Sequence, residues 1–275
     1  MLIFFKKFLY YNAYNYNCIK IYLSDEMFDN YKNKFVPVIL PIILIFFWYL
    51  ITNGLGLFSS YILPGPIDVI NSAWVVIQNG KLLTNTVDTL FKVFAGLILA
   101  SIVAIPLGII LGWYKTLEDL CTFVISVLRP IPPVAWIPFS ILWFGIGTVP
   151  AIFIIFMGCV FPILIYTTDG VKRTDKVLVE SAQTLGANDW NVLRRIVMPS
   201  AVPYVVSGLK VGIGIALMCT ISAEMIGSSS GLGYMILTAT NLFDTGTTVV
   251  GMLVIGLIGL IFDFVFTRVQ NRIFW

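Results

Sequence analysis

The sequence predicts an all-helical, polytopic membrane protein with about six transmembrane helices. The first ground is composition: of 275 residues, 59% are apolar and only 11% charged, which excludes an ordinary soluble domain. The second is the recurrence of apolar runs of roughly 20 residues, the length that crosses about 30 Å of hydrocarbon as a helix. Without water to satisfy the backbone such runs must be helical, and the ten-residue alternation of a membrane barrel is missing. Histidine is absent, which removes imidazole triads, HExxH zinc sites and imidazole proton relays together. Cys18, Cys121, Cys159 and Cys219 have no metal-ligand or CxxC spacing and read as small packing residues. No Gly-rich phosphate loop ending in Lys-Ser or Lys-Thr is present, so any driving ATP is bound by another chain.

Taken in order, residues 1–34 lack the layout of a signal peptide: a short apolar start is followed, not preceded, by Lys6 and Lys7. Two readings stand for this segment, a disordered cytoplasmic leader and an over-extended start with translation beginning at Met27. Residues 35–275 form the membrane domain. Spans are expected near 35–52, 88–112, 120–143, 149–168, 203–226 and 247–267. With the N-terminus inside, the inner segments hold most of the Lys and Arg residues, among them Lys115, Lys172, Arg173, Lys176, Arg194, Arg195, Arg268 and Arg272. The outer segments hold Lys81, with Lys92 just inside the outer end of the second span. By the positive-inside rule both termini are cytoplasmic. Between the first two spans, Leu63 to Thr86 is too polar to cross and should carry a short amphipathic helix around Pro66 to Gln78.

The third span contains Arg129-Pro130-Ile131-Pro132-Pro133, then Trp136 and Pro138. Each interior proline removes a backbone hydrogen bond that lipid cannot replace, so this span should lie inside the assembly. Two readings stay open: a kinked structural helix whose Arg129 snorkels to the inner headgroups, or a direct lining of a path by Arg129, Pro132 and Trp136.

Between the fourth and fifth spans lies a polar island, about 170–200, which reads as two short helices. The first carries Glu180, Ser181, Ala182 and Gln183 and stops at Gly186, the residue type that most readily takes the left-handed conformation. The second starts behind Asn188 or Asp189 and carries Arg194 and Arg195 towards its end. Pro199 is expected to break the pattern and bias Met198 away from helix. An exposed helix pair of this kind is a docking surface.

In the fifth span Gly208, Gly212, Ala216, Thr220 and Ala223 form a small-residue stripe suited to close helix packing. Lys210 and Glu224 stand off the stripe and are about 21 Å apart along a helix, so they cannot pair with each other. A charge facing hydrocarbon costs on the order of 3 kcal/mol, so much of this helix should meet protein or water. Lys210 reads either as a snorkelling residue or as part of a path, and Glu224 as a gate or helix-locking contact or as an ordinary helix end. Neutral Gln at position 224 is expected to impair a gate role while leaving assembly intact. Arg268, Arg272 and Trp275 read as an inner-face anchor.

Glu180-Ser181-Ala182, Gly186-Ala187 and Val197-Met198-Pro199 resemble the EAA loop of ABC importer permeases, with Ser181 and Met198 as two mild departures. Arg129-Pro130-Ile131-Pro132-Pro133, Ala135-Trp136-Ile137-Pro138, Leu142-Trp143-Phe144-Gly145 and Ala223-Glu224-Met225-Ile226-Gly227 resemble the nitrate, sulfonate, taurine and bicarbonate branch of that family. The resemblance implies an ATPase-coupling loop built on Glu180, Ser181, Ala182, Gly186, Ala187, Asp189 and Pro199. It also implies cytoplasmic ABC ATPase subunits that carry ATP and Mg, an extracytoplasmic solute-binding protein, and a permease homodimer in the lipid of the cell membrane. No cofactor is expected in this chain, and no nucleic acid partner. The implied cargo is a small oxyanion such as a sulfonate, taurine, nitrate or bicarbonate. The rival reading is a self-sufficient secondary carrier, against which count the lack of an evident internal repeat and the sparse membrane carboxylates, Glu224 and Asp263. A membrane enzyme would need clustered acids, bases or nucleophiles that the sequence does not supply.

Overall fold

The computed structural model describes residues 36–54 and 59–273, which divide into one unit ending at Pro66 and another from Ile67 onwards. The expected leader 1–34, Met27 and Trp275 lie outside the described residues. In the first unit, helix α1 (Val36–Tyr49) runs into a π turn, Leu50–Gly54. The Trp48 indole donates to the Pro64 carbonyl at 3.0 Å.

The second unit opens with α2, Pro66–Gln78, at the place expected for a short helix between spans. Gly80, at φ 68°, turns the chain into α3, Lys81–Trp113. This helix begins seven residues before the expected 88. The early start matters because it puts Asn85 on the same helix as Lys92. Next come α4 (Lys115–Leu128), a 3-10 turn (Pro133–Trp136) and α5 (Ile137–Phe144). The proline-rich third span, expected near 120–143, is two helical pieces meeting at 83°. Pro130, Pro132 and Pro133 supply no N–H over this stretch, so the α ladder has nothing to continue with.

Helix α6 covers Thr148–Lys172. The polar island forms α7 (Lys176–Thr184) and α8 (Asp189–Val192), followed by a π turn, Leu193–Val197, and then α9, Met198–Gly227. Here one expectation fails. Met198 is helical, at φ −59° and ψ −48°, and Pro199 stands in the first turn of α9 without breaking it. A proline ring collides with the carbonyl four residues back in an α turn; the wider π turn immediately ahead relieves that collision. Short α10 (Leu232–Asn241) leads to α11, Thr245–Ile273.

Four described helices, containing α3, α6, α9 and α11, are long and apolar enough to cross a membrane, or five if the bent α4–α5 pair counts as one span. Helix α6 is central, packed between α3 and α9. Their joint core holds Val93, Leu97, Ala100, Ile155, Cys159, Ile163, Ile213 and Ala216. Close approach is built into α3: a Cβ on Gly96 would come within 2.5 Å of Ile155, and one on Gly108 within 2.7 Å of Thr167. The small-residue stripe of α9 is buried as a packing face, with Gly208 against Ile163 and Tyr166. Cys159 and Cys219 are buried and unbridged, and the Cys159 thiol donates to the Gly212 carbonyl at 3.2 Å.

Candidate functional site

The polar island folds as a capped helical hairpin with its own small core. Asp175, a cap the sequence reading missed, accepts from the Val177 N–H at 2.9 Å and starts α7. The helix ends in a Schellman arrangement: the Ala187 N–H donates to the Ala182 carbonyl at 3.0 Å and the Gly186 N–H to the Gln183 carbonyl at 2.9 Å. Gly186 holds φ 84°, in the left-handed region that a side chain would strain. The Asn188 side chain then accepts from the Asn191 N–H and caps α8, while Gln183 donates to Asp189 across the hairpin at 3.3 Å.

Ala182 and Ala187 pack on Val171, Val192, Val197 and Ala201, together with Trp113 of α3. Small side chains at 182 and 187 therefore let the hairpin sit down on the helix ends. Glu180, Ser181, Gly186, Asp189 and Pro199 remain exposed. So do four large apolar residues of the hairpin, Val177 and Leu178 on α7, then Leu185 at 88% and Trp190 at 64% exposure. An isolated exposed apolar residue is ordinary. Leu185 and Trp190, on either side of the Gly186 turn and outside any apolar run, are exposed apolar residues that sequence reading passed over. Lys172, at the end of α6, is ion-paired with Glu118 of α4, which ties the base of the hairpin to the broken span.

Glu224 and Lys210 occupy quite different settings. Glu224, Lys92 and Thr89 are all within 1% of full burial. The Glu224 carboxylate accepts from Lys92 Nζ at 3.0 Å, from Thr89 Oγ1 at 3.0 Å and from the Gly233 N–H at 2.9 Å. The other two Lys92 protons go to Ser228 Oγ at 3.0 Å and the Ser230 carbonyl at 2.6 Å, so all three donors of the ammonium are used. Thr89 accepts from the Leu232 N–H, and Asn85 from the Gly231 N–H. The turn 228–231 between α9 and α10, with Leu232 at the start of α10, is thus stitched to α3. Gly231, at φ 111°, must be glycine twice over, since a Cβ there would overlap the Glu224 carboxylate.

Glu224, read from sequence as a gate or helix-locking contact or as an ordinary helix end, joins α9 to α3 here. Lys92, read from sequence only as a charge near the outer end of a span, is its partner. A signal was available: Asn85, Thr89 and Lys92 recur at spacings of four and three along an apolar helix, a polar stripe that needs partners on a facing element.

Lys210, by contrast, is partly exposed; it pairs with Asp263 of α11 at 3.1 Å and donates to Thr267 at 2.8 Å. Arg129 stands at the α4–α5 break and, with Pro133, lines a cavity of about 430 Å³ against α6 and α9. Pro132 is exposed beside it, and Trp136 is half-buried, tilted at 55° against Phe139 in an aromatic run that continues to Trp143. Among the described residues no cluster of His, Cys, Asp or Glu could hold a metal ion.

Residues 104–275 match the family of binding-protein-dependent transport system inner membrane components. The chain belongs to that family. The match takes in the broken span, the hairpin and the Glu224 segment. A putative ABC transporter permease of Methanocaldococcus jannaschii is 42% identical over 250 residues, covering 89% of this chain and 93% of that protein. A putative aliphatic sulfonates transport permease of Bacillus subtilis is 31% identical over 235 residues, covering 86% and 84%. In fold, the chain is similar to the membrane subunit in inward-facing structures of the MetNI methionine ABC transporter, with a TM-score of 0.63 at 17% identity over 74% of this chain and 97% of that one. The protein is thus a multi-pass membrane permease subunit of an ABC importer.

Proposed function

We propose that two copies of this permease form the translocation path of a cell-membrane importer and that cytoplasmic ATPase subunits dock on the α7–α8 hairpin. The observation that carries this reading is the hairpin itself: a capped, self-cored element outside the apolar spans that presents Leu185 and Trp190 to a partner. ATP and Mg belong to the ATPases, and an extracytoplasmic binding protein delivers the solute. The Lys and Arg bias supports a cytoplasmic hairpin and cytoplasmic termini, and in this reading 35–275 is a six-span domain with α1 as the first span. Closure of the ATPase pair on ATP pushes the Glu180–Pro199 segment, and the spans respond by alternating access, a two-state equilibrium biased from both sides.

The cargo of this reading is a small oxyanion, supported by the sulfonate relative and by the resemblance of the Arg129 and Glu224 segments to the same branch. A self-coupled carrier is less well supported, because its two candidate carboxylates are both engaged, Glu224 by Lys92 and Asp263 by Lys210. The test is affinity purification from native membranes in mild detergent, followed by uptake in proteoliposomes. Recovery of an ATPase and a binding protein, with uptake that requires ATP, is the expected result. Repeated recovery without any ATPase, and uptake independent of ATP, would transfer the protein to the carrier class.

A further inference from the structure

We propose that the cavity at the α4–α5 break is a binding site for an organic monoanion within the permease itself, with Arg129 as the residue that selects it. The proposal rests on the importer reading above and names the chemistry of its cargo. Three observations meet there.

The first is depth. On α6 the lining runs from Met157 to Tyr166, about 13–27 Å along a helix some 37 Å long. On α9 it is Val211 and Ile215, about 20–26 Å along a helix some 45 Å long. Both stretches are at mid-length, so the cavity sits at the middle of the bundle and not at a headgroup layer. Arg129 reaches this cavity as an exposed residue at the α4–α5 break.

The second is charge. Among the described residues no Asp or Glu lines the cavity, and no ion pair reaches Arg129. An unpaired cation at membrane depth costs on the order of 3 kcal/mol by insertion scales and is characteristically found at solute pathways. The volume, about 430 Å³, falls in the roughly 300–1,000 Å³ range of small-molecule sites.

The third is the lining. Apart from Arg129 and the Tyr166 hydroxyl, the side chains are apolar, including Pro133, Phe161, Val211 and Ile215. A guanidinium fork matches the oxygens of a sulfonate or carboxylate in bidentate fashion, and the rest of the wall suits a short hydrocarbon tail. A zwitterion such as taurine would bring an ammonium with no carboxylate to meet it, which burial penalises. A bare inorganic ion such as nitrate would leave the apolar wall unused. The cavity therefore ranks alkanesulfonates above both.

The experiment measures binding of radiolabelled butanesulfonate to the purified permease–ATPase complex without the binding protein, with taurine and nitrate as competitors. Butanesulfonate is expected to bind at least tenfold more tightly than either competitor. Arg129→Gln should weaken it by tenfold or more, with Arg129→Lys in between. Val211→Trp, which fills the apolar end, should shift preference from butanesulfonate towards methanesulfonate. Equal competition by all three solutes overturns the proposal, as does Arg129→Gln binding like wild type. Should Arg129→Gln fail to assemble, the chain-length preference of Val211→Trp decides, and an unchanged preference overturns it. Wild-type complex that imports with ATP yet binds no butanesulfonate refutes this inference alone; absence of any ATP-dependent uptake refutes the importer reading beneath it.

Discussion

Replacing Glu224 by Leu removes the acceptor of a fully buried lysine. Lys92 and Glu224 are 1% and 0% exposed and 3.0 Å apart, so neither charge can turn to water when its partner goes. Loss of one member of a buried pair costs about 3–5 kcal/mol, because the other charge is left uncompensated. Here the Ser228 hydroxyl and Ser230 carbonyl still accept from Lys92, which places the expected cost towards the lower end, about 3 kcal/mol. At roughly 2–4 °C per kcal/mol for a chain of this size, the melting midpoint should fall by about 6–12 °C. Lys92→Met should cost at least as much, since the Glu224 carboxylate then keeps only Thr89 and the Gly233 N–H. The decisive variant is the double one, Lys92→Met with Glu224→Leu. Two apolar residues of similar bulk replace the pair, and the double loss should be well below the sum of the singles. The assay is thermal unfolding of the detergent-purified complex followed by fluorescence and size exclusion. Additive losses, or a single variant that melts like wild type, would refute the view that these two charges depend on each other.

Glu224→Gln keeps the shape and some hydrogen bonding, and should assemble while losing transport; wild-type uptake in this variant would rule out a role for the charge in gating. Gly186→Leu forces a side chain into φ 84° at a cost of about 1–2 kcal/mol and distorts the Schellman turn; ATP hydrolysis should continue while uptake falls, and unchanged coupled transport would refute the docking assignment. Gly108→Leu would drive a branched side chain into Thr167 and the Leu164 carbonyl, so a loss of about 1–3 kcal/mol or more in thermal unfolding is expected. Asp263→Asn breaks a pair that is 29% and 67% exposed, and the cost should stay within about 1 kcal/mol; a melting shift as large as that of Lys92→Met would contradict it.

Much of the fold was readable because its signals are local. Apolar runs located the four long helices and the bent pair, Gly186 and Asn188 bounded the hairpin helices, and the prolines after Arg129 marked a broken helix. What escaped were relations between distant segments. Lys92 and Glu224 lie 132 residues apart, and the register between α3 and α9 that joins them is fixed by packing at Gly96, Gly108 and Gly212 against α6, not by any pattern within one helix. The same limit hid the Lys210–Asp263 and Lys172–Glu118 pairs. Pro199 was misread for a different reason. The rule that proline ends a helix presumes an α turn before it, and the π turn at Leu193–Val197 lies outside that premise. The cavity at Arg129 could be guessed as a path but not located, because its other walls come from mid-length residues of α6 and α9.

The π turn has one more consequence. Because helix persists through Pro199, Asp189 to Gly227 is a single 39-residue rod, about 58 Å long. One end carries the exposed Trp190 of the hairpin and the other carries Glu224. A rod has no slack. A tilt of about 5° imposed at Asp189 swings the far tip by about 5 Å, more than the 3.0 Å that joins Glu224 to Lys92. A movement at the hairpin that turns this helix as one body therefore reaches the distant ion pair.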